Sequence, residues 1–219
     1  MGDWKRQSPV RLASRPIRTE VRDHWEVVLA YGDEGPGPWL VDLSHKTRWD
    51  LQDGALDGRT PGGLAVPANP GGCRLENRVL VNRMNRTQAA VWHLGHGDAP
   101  PLPAEPGYTD VSEATVFLGL LGPRVFAIAE KLSALDFVDP KRTTPFLLQG
   151  PFSHVPCQVV TVTREAHGTG ALLVACSRGY ARDMVAAVSA AGEEFGLRPA
   201  GETTFQRCLD ALEGASPSP

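Results

Sequence analysis

Apolar and polar positions change rhythm several times along this chain, and each rhythm predicts an element. Trp25 to Tyr31 and Trp39 to Leu43 are short runs dense in aromatic and β-branched residues, which predicts two strands joined by a turn from Gly32 to Pro38. Thr47 to Leu51 continues as a third strand, and Arg78 to Asn82 is a further β-rich run. Asn85 stands where a helix cap belongs, ahead of Ala89, Ala90 and Leu94 on one face, so the spacing predicts a short helix over Arg86 to Leu94. Ala114 to Leu121 predicts a strand that turns abruptly into a helix. Pro123 suits the first helical position, and Val125, Ile128, Ala129 and Leu132 repeat at helical spacing. Thr144 to Leu148, Cys157 to Thr163 and Ala171 to Ala175 predict strands, with Pro151 and Pro156 in the connection between the first two. Ser177 caps the longest predicted helix, to Phe195, whose core face is Tyr180, Met184, Val188, Ala191 and Phe195. A structured turn follows at Arg198 to Gly201, and a helix over Thr204 to Leu212 closes the series.

Two stretches dense in Gly and Pro, 53–72 and 95–107, break this regularity and mark long loops or a linker. They divide the chain into a basic N-terminal arm (1–18), an N-terminal lobe (19–98), a Pro/Gly-rich linker (99–109), a C-terminal lobe (110–213) and a tail of small residues and prolines (214–219) expected to be disordered. In the second half, strand, helix, strands and helix alternate. That is the α+β pattern of a split βαβ, ferredoxin-like unit rather than a Rossmann alternation.

Composition changes this picture little. With 219 residues, 42% apolar and 21% charged, the chain suits a soluble globular protein with one large core or two small ones. A net charge of −3 gives no reason to expect nucleic acid. No run approaches the roughly 18 apolar residues of a membrane helix. The N-terminus has no apolar signal core, and Pro9 and Pro16 argue against an amphipathic transit helix, so the cytoplasm is the expected compartment. Lys5, Arg6, Arg11, Arg15 and Arg18 make the arm basic, a solvated segment or one that docks on an acidic partner. Cys73, Cys157, Cys176 and Cys208 are scattered without a CxxC pair, which predicts reduced core thiols and no zinc site. His93 and His96 lack partners that would complete a metal site.

Candidate chemistry is sparse. Asp42, Ser44 and His45 are the residue types of a nucleophilic triad, but on one strand they cannot point at one another. Gly168-Thr169-Gly170 reads as a hairpin turn rather than a phosphate loop. Gly122-Pro123 opens a helix whose free N–H groups could face an anion, as every helix start could. Asp136, Asp139 and Glu130 lie among solvent-facing positions at a helix exit. Arg78, Arg83 and Arg86 form a local cationic group that could hold a phosphate or a glutamate tail, or a solvated edge.

Four segments in order resemble a known family. They are Leu40 to His45 (LVDLSH), Arg78 to Arg86 (RVLVNRMNR), Asp110 to Pro123 (DVSEATVFLGLLGP) and Ala190 to Gly201, with its proline-alanine-glycine turn. Together they are similar to the folate-binding fold of the glycine-cleavage T protein, an aminomethyltransferase. The resemblance implies an α+β chain of two small ferredoxin-like (split βαβ) lobes and, as a possible cofactor, tetrahydrofolate. The family's catalytic aspartate should fall near Gly62 to Pro67, where no carboxylate stands, its pterin-holding glutamate near Leu172, and an arginine at Phe205, with Arg207 two residues on. The family's helix after its Asp-x-Ser-His strand and its further C-terminal domain are also not evident.

In size and in these losses the chain resembles the gamma-subunit family of heterotetrameric sarcosine oxidases. The resemblance implies a non-catalytic accessory subunit, with no catalytic or metal residue of its own and with flavoprotein oxidase or one-carbon enzyme subunits as partners. A divergent tetrahydrofolate-dependent one-carbon transferase is the alternative, with Asp42, Glu113 or Glu165 replacing the lost carboxylates and Arg83, Arg86 or Arg207 holding the cofactor. A free-standing folate or small-anion binding protein is the third reading.

Overall fold

A computed structural model describes residues 4–98, 100–165 and 168–214. Its main sheet has six strands in the spatial order β10 (Phe146–Phe152), β11 (Val155–Arg164), β12 (Gly170–Ser177), β9 (Thr115–Gly122), β3 (Trp39–Asp42) and β13 (Arg198–Ala200). β9 lies at the centre because its sequence is apolar without alternation, which suits a strand covered on both faces. Val116, Leu118 and Leu120 point to one face, where they pack with helices α1 (Val125–Glu130) and α2 (Ala181–Gly192). Phe117 and Leu121 point to the other face and meet a second sheet.

Taken in chain order, β9, α1, β11, β12, α2 and β13 follow the split βαβ succession. β3 is inserted between β9 and β13, and β10 is added at the outer edge. The α+β class therefore holds. The split βαβ pattern belongs to this sheet.

The second sheet is antiparallel, in the order β5 (Cys73–Glu76), β6 (Val79–Arg83), β7 (Gln88–His93), β4 (Arg48–Gln52) and β8 (Tyr108–Asp110). Leu80, Ala90 and Trp92 face the main sheet, and Phe205 and Leu209 of α3 (Glu202–Gly214) join that layer. The opposite face carries Trp49, Leu51, Val81 and Val91, covered by Leu56, Leu64 and Val66 from the first Gly/Pro-rich loop. A two-stranded ribbon of β1 (Pro16–Arg22) and β2 (Trp25–Tyr31) packs beside α3. The lobes interleave: β3 lies in the sheet of the C-terminal half, and β8, from the linker side, pairs with β4.

Several expectations change. Arg86 to Leu94 is no helix. Asn85 Oδ1 accepts from Thr87 N at 2.8 Å, an Asx turn that reverses the chain, and Gln88 to His93 continue as β7. Both faces of β7 are buried, so its apolar run has no period, and the helical spacing of Ala89, Ala90 and Leu94 is coincidental. Pro151 and Pro156 are register partners within β10 and β11, and Ser153 and His154 make the turn. Pro123 does not open α1 as its first residue. Arg124 precedes the helix in a left-handed conformation (φ 63°) after Gly122 at φ 96°. The Ser177 hydroxyl makes no cap, and the helix to Phe195 is α2 flanked by two 3-10 turns.

The arm from Trp4 onward is anchored at a few points, while Lys5, Arg11, Arg15 and Arg18 stay exposed. Val10 is buried with the α1–α2 layer, Trp4 stacks on His24 with ring centroids 4.3 Å apart, and Arg15 leads directly into β1. Ala99 of the 99–109 linker and residues 215–219 of the 214–219 tail lie outside the described residues.

Candidate functional site

The most concentrated charge in the interior surrounds Glu202. β13 ends at Ala200, and Gly201 then lets α3 begin against β2: a Cβ there would lie 2.3 Å from the Leu29 carbonyl carbon and oxygen. Glu202 follows in the first turn of α3, only 1% exposed. Three distant segments bring it partners. Arg22, at the end of β1, grips the carboxylate as a fork, with Nη1 to Oε1 at 2.9 Å and Nη2 to Oε2 at 2.8 Å. His45 Nε2 lies 3.2 Å from Oε1 in the turn after β3, and the Lys46 ammonium beside it contacts the same oxygen. Lys46 also donates to the Gly95 carbonyl at 2.6 Å. His96 stands at the rim, its Nδ1 3.5 Å from Oε2.

Burial alone would raise the Glu202 pKa, but hydrogen bonds from His45 and Arg22 and the charge of Lys46 hold it far below the usual carboxylate range. Burial lowers the pKa of His45, which sits there as neutral imidazole donating through Nε2. A carboxylate so saturated with donors is a poor proton acceptor, and its chemistry is that of an internal tie. Glu20, His96 and Glu202 also bring three ligand atoms within 4.8 Å of one another, a set of the kind that holds a divalent cation. The Arg22 guanidinium contacts all three side chains and already supplies the positive charge.

The residues expected to carry chemistry are dispersed. Asp42 accepts from the Ser8 hydroxyl and from Ser44 N, and it lines a pocket of about 330 Å³ beneath the N-terminal arm with Tyr31, Arg11 and Glu26. Glu113 is exposed and paired with Arg6 Nε at 3.0 Å. Glu165 is exposed in the β11–β12 turn, the hairpin expected at Gly168 to Gly170, where its N–H donates to Thr169 O. None of the three shares a pocket with another.

The arginine group separates. Arg83 is buried and ties Asp57 (2.6 Å) and the Pro67 carbonyl (3.1 Å) onto the outer face of β6, whereas Arg78 reaches Gln206 of α3 at 3.0 Å. Arg86 is exposed, and Arg207 donates to Thr204 Oγ1 on its own helix. Ser44 Oγ accepts from Phe117 N, so the Asp42-Ser44-His45 run forms no triad. His93 stacks edge-on to Trp49, and burial lowers its pKa to about 4; it does not face the same partners as His96.

The positions where the resemblance implies the family's ligand residues are core. Leu172 packs with the α1–α2 layer, Phe205 between the sheets, and Val66, from the first Gly/Pro-rich loop, on the outer face of the second sheet. The three face three different layers.

Sequence reasoning missed Glu202 itself. Its signal was an acid at the head of a predicted helix just past the Pro199-Ala200-Gly201 turn, a place that reads as a helix start and not as a buried cluster. It also missed Arg48, 1% exposed on β4, whose guanidinium donates to the carbonyls of Lys46 (2.6 Å) and Thr115 (3.1 Å) and so fastens β4 to the start of β9. Asn82 is fully buried on β6 on the face of Leu80 and Met84, toward the main sheet, and neither its Nδ2 nor its Oδ1 has a partner among the described residues.

The fold, six-stranded sheet with two helices on one face and a second sheet on the other, is of the aminomethyltransferase type. Two solved structures share it. A heterotetrameric sarcosine oxidase from a Corynebacterium species, in complex with pyrrole 2-carboxylate, matches with a TM-score of 0.57 and 17% identity over 71% of this chain and 84% of that one. The glycine cleavage system aminomethyltransferase T from Bartonella henselae matches with a TM-score of 0.55 and 12% identity over 85% of this chain. The match spans 56% of the aminomethyltransferase. No family model matches the sequence, and no curated protein matches it.

Proposed function

We propose that this chain is a catalytically depleted aminomethyltransferase-fold protein acting as an accessory subunit of an oxidase or one-carbon enzyme complex. The observation that carries this reading is the placement of Leu172, Phe205 and Val66. A pterin needs a carboxylate facing its N–H groups, since each buried polar edge left unpaired costs about 1–3 kcal/mol. Here those positions hold apolar side chains in three separate core layers. Asp42 and Glu113 are engaged by the N-terminal arm, which leaves them as fold contacts. The heterotetrameric assembly of the Corynebacterium oxidase supports the subunit role.

One observation favours a binding protein instead: the Asn82 amide, buried without partners, has hydrogen-bonding capacity that a ligand between the sheets would satisfy. Purification from the native source under mild conditions separates the readings. The subunit reading expects the chain to elute with larger enzyme subunits and to bind tetrahydrofolate derivatives no tighter than about 1 mM by calorimetry. A solitary monomer that binds a pterin tightly overturns it.

A further inference from the structure

Cys157 on β11 and Cys176 on β12 are direct register partners in the antiparallel pair. Both point to the α1–α2 face and are buried, at 6% and 5% exposure, and both are free thiols. Directly opposed antiparallel residues have Cα atoms about 4.5–5.5 Å apart. That lies within the roughly 4.4–6.8 Å a disulfide spans, so the two sulfurs can be joined without moving either strand far. The next position in the row, on β10, is Gly150, which puts no side chain beside Cys157. Cys176 is the penultimate residue of β12 and Cys157 the third of β11, so fraying at this end of the sheet exposes them to small solutes.

We propose that Cys157 and Cys176 form a dithiol–disulfide site, oxidised by small organic disulfides that reach the thiols when this end of the sheet opens. Whichever thiol is exposed first loses its proton to solvent and attacks one sulfur of the oxidant, a mixed disulfide forms and the first thiolate leaves. The second cysteine then loses its proton, attacks the sulfur of the first and expels the second thiolate. The two cysteines lose two electrons, and one oxidant disulfide becomes two thiols. This site does not depend on the accessory-subunit reading.

The test uses the full chain in excess oxidised glutathione, quenched in acid, then unfolded, alkylated and mapped as peptides. The expected result is the loss of two alkylatable thiols of the four, with Cys157 and Cys176 in one cross-linked fragment that dithiothreitol releases. Cys176→Ser and Cys157→Ser should each abolish the cross-link, with any glutathione adduct in this pair confined to the cysteine that remains. Full alkylation of both positions in wild-type protein that circular dichroism shows to be folded would overturn the proposal. So would a glutathione adduct that never resolves to the cross-link. The wild-type measurement decides between these outcomes, so the test stands even where a variant fails to fold.

Discussion

Replacing Glu202 with glutamine keeps the shape of the side chain and removes the charge that Arg22 and Lys46 share, leaving Arg22 only Glu20. Both cations stay buried, with side chains 9% and 3% exposed, and the amide offers one acceptor oxygen where the carboxylate offered two. Breaking a buried pair by neutralising one partner costs about 3–5 kcal/mol, because the other charge remains out of water. Against a total of about 5–15 kcal/mol that is a large fraction. For a domain of this length it corresponds to a fall in Tm of about 6–20 °C.

The effect should also depend on pH. Glu202 has a folded-state pKa held well below its unfolded value, so its stabilisation is complete above about pH 4.3 and is lost as pH falls toward the folded value. His45 acts in the same direction: it is lowered by burial, and the unfolded chain gains its proton first as pH drops below about 6.5. Urea unfolding followed by circular dichroism from pH 7 to pH 3 checks this. Wild type should lose stability in two stages, and Glu202→Gln should lack the lower one. A Glu202→Gln protein within about 1 kcal/mol of wild type at pH 7, with an unchanged pH profile, would refute the account of Glu202 as an internal tie.

Two more substitutions test the packing argument. Gly201→Ala places a methyl group 2.3 Å from the Leu29 carbonyl and 2.5 Å from Ala30 N, so α3 must shift away from β2, and thermal unfolding should show a loss of at least about 1–3 kcal/mol. A neutral result there would mean that α3 docks more loosely than described. Leu172→Glu restores a carboxylate where the resembled family carries one; in the α1–α2 core it is an unpaired buried charge, and the variant should be strongly destabilised, with no gain in calorimetric affinity for tetrahydrofolate. A stable Leu172→Glu protein that binds a pterin would show that this position opens on a pocket.

The strands were legible where burial on both faces left a continuous apolar run, as at Thr115 to Gly122, or where aromatic and β-branched residues clustered, as at Trp25 to Tyr31. The same property concealed β7. A run buried on both faces carries no period, so Ala89, Ala90 and Leu94 matched a helix as well as a strand, and only the Asx turn at Asn85 and pairing with β4 and β6 decide it. Pairing also creates β13: Arg198 to Ala200 is a strand because β3 lies alongside in parallel, a partner some 160 residues earlier that local propensity cannot supply.

The Glu202 cluster was illegible for the same reason. Nothing local distinguishes Arg22, Lys46 or Glu202 in the sequence, and His45 stands out only as a triad residue type; only the closure of β1, β3, the loop after β7 and α3 around one point makes them a buried set. That closure bears on function. The segments resembling folate enzymes, from LVDLSH to the Pro-Ala-Gly turn, here end in residues that bind one another: Asp42 to Ser8, and His45 and Lys46 to Glu202. Hydrogen-bonding groups spent inside the fold are not available to a substrate. Assembly of the fold thus accounts for these motifs, as the proposed accessory role expects.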